Sequence, residues 1–302
     1  MEPDSAPVHR RDTIERAHLR DPRDASHVMY RYETTGPMAA LVQRTWIPVW
    51  SVPPGEEAVQ RVLQYPVCLV VVTPGYARFY GVVSGLSTTT LTGEGWAAGV
   101  MLTPAAGALV AGGPVSAYTD RSVDVAEVLG DDGDRLAARV RAAMAGDPHS
   151  PDAHAAARAA YDDALRRFLP VDGEGLLVDR LVALVESRPD LTRVDQLCAQ
   201  TGLSERALQR LAARRLGLSP KWLVQRRRLQ EAAERLRDRT ATAAQVAADL
   251  GYADQPHLTR DFARVTGMTP GEFTARYAPG PAGPGTAGVS RPSSAAPARS
   301  RR

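Results

Sequence analysis

The sequence predicts a multidomain α+β protein. A β-rich, sandwich- or barrel-like N-terminal domain should precede an all-α C-terminal domain of two helix-turn-helix units joined by a linker helix. Three observations lead there. The first is an internal repeat near the C-terminus. Leu197-Cys198-Ala199-Gln200-Thr201-Gly202-Leu203-Ser204, then Leu208-Gln209-Arg210 and Gly217-Leu218-Ser219-Pro220, return as Val246-Ala247-Ala248-Asp249-Leu250-Gly251-Tyr252-Ala253-Asp254, then Leu258-Thr259-Arg260 and Gly267-Met268-Thr269-Pro270. Gly202 maps onto Gly251 at an offset of 49, whereas Ser204, Arg210, Gly217 and Pro220 map onto Asp254, Arg260, Gly267 and Pro270 at 50, so the second turn is one residue longer. The second observation is texture, which is β-like before about residue 128 and helical after it. The third is charge. Residues 176–279 hold 17 basic and 12 acidic side chains, while residues 28–148 hold 8 and 11. A basic module joined to a mildly acidic one suits nucleic acid at one end only.

Along the chain, residues 1–27 carry six acidic and five Arg side chains without apolar periodicity and are expected to be a disordered arm. Residues 28–148 should form the β-rich domain, a sensing or dimerisation module. Its short apolar runs (41–50, 67–73, 76–83 and 96–102) are separated by Pro-Pro-Gly, Thr-Pro-Gly and Thr-Gly-Glu-Gly turns. Residues 123–144 and 151–168 are Ala-rich with charge on one side and should be helices split by Gly146-Asp147-Pro148. The second belongs to a helical connector over 149–175. Residues 176–279 should be the DNA-binding domain, with helix-turn-helix units at 194–216 and 243–266. The Pro, Gly, Ser and Ala of 280–302 should be a disordered tail.

In the first unit Val194, Leu197 and Cys198 have the spacing of a helix's core face. Gly202 fits a turn that needs positive φ, and Ser204 suits the cap of the next helix. With Leu208, Leu211 and Leu216 inward, Arg206, Gln209, Arg210 and Arg214 are left outside. Arg can fork onto guanine O6 and N7, and Gln onto adenine N6 and N7, so this face has the chemistry of base readout. Arg215 is expected beside phosphate or solvent. In the second unit Gly251 turns, Tyr252 plugs the core, Asp254 caps and Pro256 occupies the first helical turn. Leu258 and Phe262 face inward, leaving Gln255, His257, Thr259, Arg260 and Arg264 as candidate DNA contacts. Pro256 offers no hydrogen bond, so readout should be narrower here.

Between the units, residues 220–237 carry an apolar helical stripe (Trp222, Leu223, Leu229, Ala232, Ala233, Leu236). Such a helix spans about 27 Å, of the order of the roughly 34 Å between successive major-groove faces. Arg226, Arg227 and Arg228 read as a solvated face or a phosphate contact.

Residues 177–277 resemble the tandem DNA-binding domain of AraC/XylS-type transcription regulators. Gly251-Tyr252-Ala253-Asp254-Gln255, with Leu258, Phe262 and Gly267-Met268-Thr269-Pro270, is similar to that family's signature. The resemblance implies a bacterial regulator that binds double-stranded promoter DNA and acts on RNA polymerase. Leu258 stands where the family usually has Phe, and Pro256 where it often has Ser, which leaves base preference in the second unit undefined. The N-terminal region more loosely resembles an uncharacterised β-rich domain that precedes this module in some members, where such domains sense a small-molecule effector or form a homodimer. Trp46, Trp50, Tyr65, Tyr76, Phe79, Tyr80 and Trp96 are the aromatic candidates for lining a pocket.

Other function classes fare worse. None of the six histidines lies between residues 28 and 148, against a cupin-type metal site, and no metal or cofactor is expected. Cys68 lies in an apolar run and Cys198 at a core position, against a reactive thiol, a disulfide or a zinc ribbon. No G-x-S-x-G elbow or phosphate-binding loop is present, so the chain is not expected to be an enzyme. It has neither an apolar run of about 18 residues nor an N-terminal apolar h-region, so membrane insertion is not expected and a cytoplasmic location is. A non-specific architectural DNA binder is the remaining rival, and it calls for a more strongly basic chain than a net +3.

Overall fold

The computed structural model describes residues 24–63 and 65–278. The tail expected over 280–302, and all but the last four residues of the expected arm, lie outside them. Those four are ordered against the domain: Asp24 accepts a 2.6 Å hydrogen bond from Gln60, and buried His27 opens the first strand.

The N-terminal domain is built on an antiparallel sheet of seven strands. Its path runs β1 (His27–Glu33), β2 (Val42–Ser51), β8 (Ala98–Leu102), β4 (Leu69–Val72), β5 (Ala77–Tyr80) and β9 (Ser122–Asp124), and β7 (Glu94–Trp96) also pairs with β2. The strands β3 (Ala58–Leu63) and β6 (Leu86–Leu91) form a separate two-stranded ribbon. The alternation of side chains along a strand sorts the sheet's two faces. Ile47, Val49, Val70, Val72, Phe79 and Val100 point to one side and form a core with Leu136, Val140, Met144, Ala157, Tyr161 and Leu165 of the covering helices. Trp46, Pro48, Trp50, Leu69 and Val71 point to the other side, towards the ribbon.

The helix expected over 123–144 is not continuous. Its first residues finish β9, and Asp124 then caps a short helix α2 (Val125–Leu129), accepting from Ala126 N–H while Glu127 reaches back to the Asp124 N–H. Gly130, at φ +63°, breaks the chain before α3 (Asp131–Met144). Ala-rich composition gave no hint of this capping box. The strands β1, β3, β6, β7 and β9 also escaped the search for apolar runs, because four of them interleave polar residues and β7 is only three residues long. The helix α4 (Pro151–Leu165), expected in a connector, packs into the N-terminal core, where Tyr161 donates a 2.6 Å hydrogen bond to Ala98 O. One further short helix, α1 (Ala106–Val110), lies between β8 and β9.

Seven helices follow: α5 (Gly173–Ser187), α6 (Val194–Thr201), α7 (Glu205–Leu216), α8 (Pro220–Arg237), α9 (Ala243–Asp249), α10 (Gln255–Thr266) and α11 (Pro270–Tyr277). They enclose two cores. Val178, Leu181, Leu197, Leu208, Leu211 and Leu223 form the first, and Leu229, Leu236, Val246, Leu258, Phe262 and Phe273 the second. Helix α8 contributes to both and is the expected spacer. The N-terminal domain docks directly on this array. Trp222 Nε1 donates to Ser84 O (2.8 Å), Thr119 Oγ1 donates to Gly217 O (2.7 Å), and Asp179 accepts from Ala105 N–H (2.8 Å).

Candidate nucleic-acid interface

Each unit has a short helix, a glycine turn and a capped second helix. In the first, α6 ends at Gly202, whose φ of +69° only glycine adopts at little cost. Ser204 then caps α7 by accepting from Ala207 N–H, and Gly217 closes it in the same left-handed conformation. Leu208, Leu211, Ala212 and Leu216 are buried, so the rotation of α7 about its axis is fixed. Arg206, Gln209, Arg210 and Arg214 are exposed, as the spacing requires.

These four are not equivalent. Arg206 and Arg210 lie one turn apart and form no side-chain hydrogen bond or ion pair with another described residue. Gln209 Nε2 donates to Glu205 Oε1 at 3.0 Å, and Arg214 is ion-paired to Glu174 at the start of α5. Arg215 departs from expectation. It is buried, held by Asp172 and by Glu174 at 3.0 Å, and ties α7 to the N-terminus of α5. The counterions stand about 40 residues earlier in the chain, where a local reading cannot find them.

In the second unit Asp254 caps α10 by accepting a 2.7 Å hydrogen bond from His257 N–H, and Pro256 sits in the first turn. Gln255, Arg260 and Arg264 are exposed, while His257 and Thr259 are half-buried. The His257 ring stands edge-on to Tyr252, with Nε2 3.7 Å from Asp261. Arg264 donates to the same carboxylate at 2.8 Å. Arg260, the counterpart of Arg210, forms no side-chain bond with another described residue. The geometry therefore separates three unengaged guanidiniums, at Arg206, Arg210 and Arg260, from side chains already in use.

The run Arg226–Arg228 is the clearest correction. These three side chains are only 6%, 5% and 9% exposed, not on a solvated or phosphate-facing surface. Arg226 pairs with Glu186 at 2.6 Å and lies 4.1 Å from the Tyr65 ring centroid. Arg227 pairs with Glu231 at 3.0 Å and donates to Pro189 O, and Arg228 lies 3.9 Å over Tyr252. Burial in this setting holds the Arg227 guanidinium below its ordinary pKa, against the pull of Glu231 and Glu186.

The N-terminal domain holds a second feature, a cavity of about 230 Å³ between the sheet and the β3–β6 ribbon. Of the aromatic candidates, Trp46, Trp50, Tyr76 and Tyr80 line it, whereas Tyr65, Phe79 and Trp96 do not. Sequence reasoning missed its cations, Arg31 and Arg44. A lone arginine in a strand, as Arg31 is in β1 and Arg44 in β2, reads as the solvent side of a sheet. Among the described residues, no group of three or more His, Cys, Asp or Glu could hold a metal ion, and no helix is long and apolar enough to cross a membrane.

Two capped helix-turn-helix units on one spacer, with guanidiniums outward, define a DNA-binding module. Comparison with known proteins agrees with that class. Residues 197–276 match the family described as Helix-turn-helix domain, and residues 30–124 match a Domain of unknown function (DUF6597). The C-terminal segment is an AraC-type helix-turn-helix domain, a DNA-binding module of transcription regulators. No curated protein sequence matches the chain. Among solved structures, it is similar to a probable AraC family transcriptional regulator from Rhodopseudomonas palustris, at 28% identity over 34% of this chain and 99% of that one, with a TM-score of 0.31. It is also similar to ToxT from Vibrio cholerae, at 12% identity over 83% of this chain and 97% of that one, with a TM-score of 0.36. The C-terminal domain of AraT from Geobacillus stearothermophilus matches at 22% identity over 36% of this chain and 91% of that one, with a TM-score of 0.33.

Proposed function

We propose that this chain is a sequence-specific regulator of bacterial promoters that lays α7 and α10 in successive major grooves of double-stranded DNA. One observation carries this reading. The matched residues Arg210 and Arg260, with Arg206 one turn before Arg210, are exposed and unengaged on helices whose opposite faces are locked in core. Free guanidiniums on a rigid helix keep their donors for guanine edges. Gln209, Gln255 and Thr259 are the adjoining polar contacts. Arg214, Arg264 and His257 must share themselves with Glu174 and Asp261, so their role is phosphate contact or positioning. Residues 176–279 are the DNA-binding domain and 28–148 the core of a regulatory domain, which senses an effector rather than serving dimerisation alone, because it encloses a cavity. RNA polymerase is the downstream partner implied by the family resemblance, and no catalytic role is assigned.

Selection of bound sites from random DNA by the purified chain tests the proposal. Two short elements about 10 base pairs apart, centre to centre, are expected, one for each unit. A salt titration then compares the selected site with random DNA. Equal affinity for both across the titration would replace this reading with non-specific architectural binding.

A further inference from the structure

The cavity beside the β3–β6 ribbon has a composition that selects for one kind of occupant. Its floor is apolar and flat. Trp46 and Trp50 lie so close over Gly99 and Gly95 that a Cβ at either glycine would stand 2.6 or 2.5 Å from an indole ring. Met29, Val71 and Met101 extend the apolar surface. Buried Arg44, which stands 4.0 Å from exposed Glu33, and Arg31 at the exposed rim supply positive charge, and no Asp or Glu stands among the lining residues described. A dry cavity of about 150 Å³ accepts benzene, so about 230 Å³ has room for a ring with a short chain.

The ribbon is the second half of the argument. It shares no ladder hydrogen bonds with the seven-stranded sheet, so it is a separate wall. One face of it, with Gln60, Val62, Ser87 and Thr89, lines the cavity. Its end grips the DNA-binding domain instead. Leu63 is buried in the core of the second helix-turn-helix unit, and Leu86 packs against that core. Leu63 O accepts from Gln230 of α8 at 3.4 Å. Just beyond the strand, Tyr65 packs with Val67 and Met101, both cavity residues, and carries the Arg226 guanidinium on its ring. The wall of the cavity and the hold on the spacer helix are thus one element.

We propose that this cavity binds a small organic anion with an apolar body, and that the β3–β6 ribbon passes its occupancy to α8 and the second reading helix. The relay rests on the DNA-binding function proposed above, whereas the binding site does not. The anionic group sits at Arg31 and Arg44, and the apolar body lies on the two indoles. Filling the cavity repositions the ribbon, and Leu63, Leu86 and Tyr65 carry that shift to α8. Any such coupling is reciprocal between ligand and DNA.

Calorimetry on the full chain without DNA, using 4-phenylbutyrate and its neutral counterpart 4-phenylbutanamide, tests the site. The acid should bind at least tenfold more tightly than the amide. Arg44→Met should erase that preference, and Arg31→Gln should reduce it in a chain with two separately replaceable cations. Equal binding of acid and amide by the unaltered chain, or no saturable binding of the acid at millimolar concentration, overturns the site. For the relay, DNA affinity at the selected site is measured with and without saturating 4-phenylbutyrate. A shift of threefold or more is expected, lost in Leu86→Ala, which trims the ribbon's grip on α8 outside the cavity while ligand affinity without DNA is retained. No shift in the unaltered chain, or the same shift in the variant, overturns the relay. A chain that binds no DNA removes the relay together with the proposed function, and calorimetry still decides the site.

Discussion

Three helix C-caps in the DNA-binding domain are glycines with nearly the same backbone, yet the structure assigns them different sensitivities. Gly202, Gly217 and Gly267 have φ of +69°, +69° and +70°. Alanine in that left-handed conformation costs about 1–2 kcal/mol wherever it is placed. At Gly202 and Gly267 a Cβ would meet nothing within 4 Å, so that cost is the whole effect. At Gly217 the same Cβ would stand 2.5 Å from Thr119 Oγ1 and 3.1 Å from the Val115 carbonyl. Moving the Thr119 side chain forfeits its 2.7 Å hydrogen bond to Gly217 O, worth about 1 kcal/mol. Val115 is fully buried, so its backbone yields only by disturbing the core, at about 1–3 kcal/mol. Gly217→Ala should therefore destabilise by about 3–6 kcal/mol, against about 1–2 for Gly202→Ala and Gly267→Ala. Urea unfolding followed by circular dichroism reads this as a larger fall in midpoint for the first variant. Thr119→Ala combined with Gly217→Ala should cost less than the sum of the two, because the nearest clashing atom is gone. If Gly217→Ala and Gly202→Ala shift the midpoint equally, the N-terminal domain does not rest on the end of α7, and the inter-domain contact described here is wrong.

Other consequences are open to direct measurement. Arg206→Ala and Arg260→Ala should each weaken binding to the selected site by about 1–3 kcal/mol in fluorescence anisotropy. Arg264→Ala should cost less, because that side chain is already bonded to Asp261; affinity unchanged in both of the first two variants would mean the reading faces are misassigned. Burial pushes the Asp172 carboxyl up, but hydrogen bonds from Arg215 and from Gly175 N–H outweigh it and hold it below its ordinary 3.8. A lowered carboxyl stabilises the fold fully above about pH 4, and that stabilisation is lost as pH falls through the folded-state value. Arg215→Met should flatten the acid side of a melting-temperature profile, whereas Ser204→Ala, which removes a cap worth about 1 kcal/mol, should lower the profile without changing its slope; an acid limb unaltered in Arg215→Met counts against the ion pair. Burial alone drives the Cys68 thiol up to about 12. In a Cys198→Ser chain it should ignore a disulfide reagent at pH 8 until urea is added, and rapid native labelling would show an accessible thiol.

The parts of the fold legible in the sequence are those specified within a few residues. Gly202, Ser204, Asp254 and Pro270 announce helix ends because a left-handed turn, a side-chain cap and a missing N–H act locally. The spacer helix and the outward faces of α7 and α10 follow from them. What the sequence hid depends on distant partners. Three consecutive arginines on a helix sweep through about 200° of its circumference, so at least one should face water if only one side of the helix is covered. All three are buried because α8 is enclosed on several sides, by α5 through Glu186, by the loop after β3 through Tyr65, and by the second unit through Tyr252. Arg44 was invisible for the same reason, since a charged residue in a strand looks solvated until its cover is known, whereas Arg31 stays exposed at the cavity's rim. The arginines on show at 206, 210 and 260 lie on the outward faces of α7 and α10, whereas Arg215 and Arg226–Arg228 lie where a second element covers their helix. Separating the N-terminal domain from α8 would expose Arg226 and leave Glu186 to water, and charge taken out of solvent is strongly sensitive to the loss of its neighbours. The basic run that reads as a DNA contact is therefore better understood as an anchor of the spacer helix, in which Arg226 meets the N-terminal domain at Tyr65 while Arg227 and Arg228 fasten α8 to its own domain at Glu231, Pro189 and Tyr252.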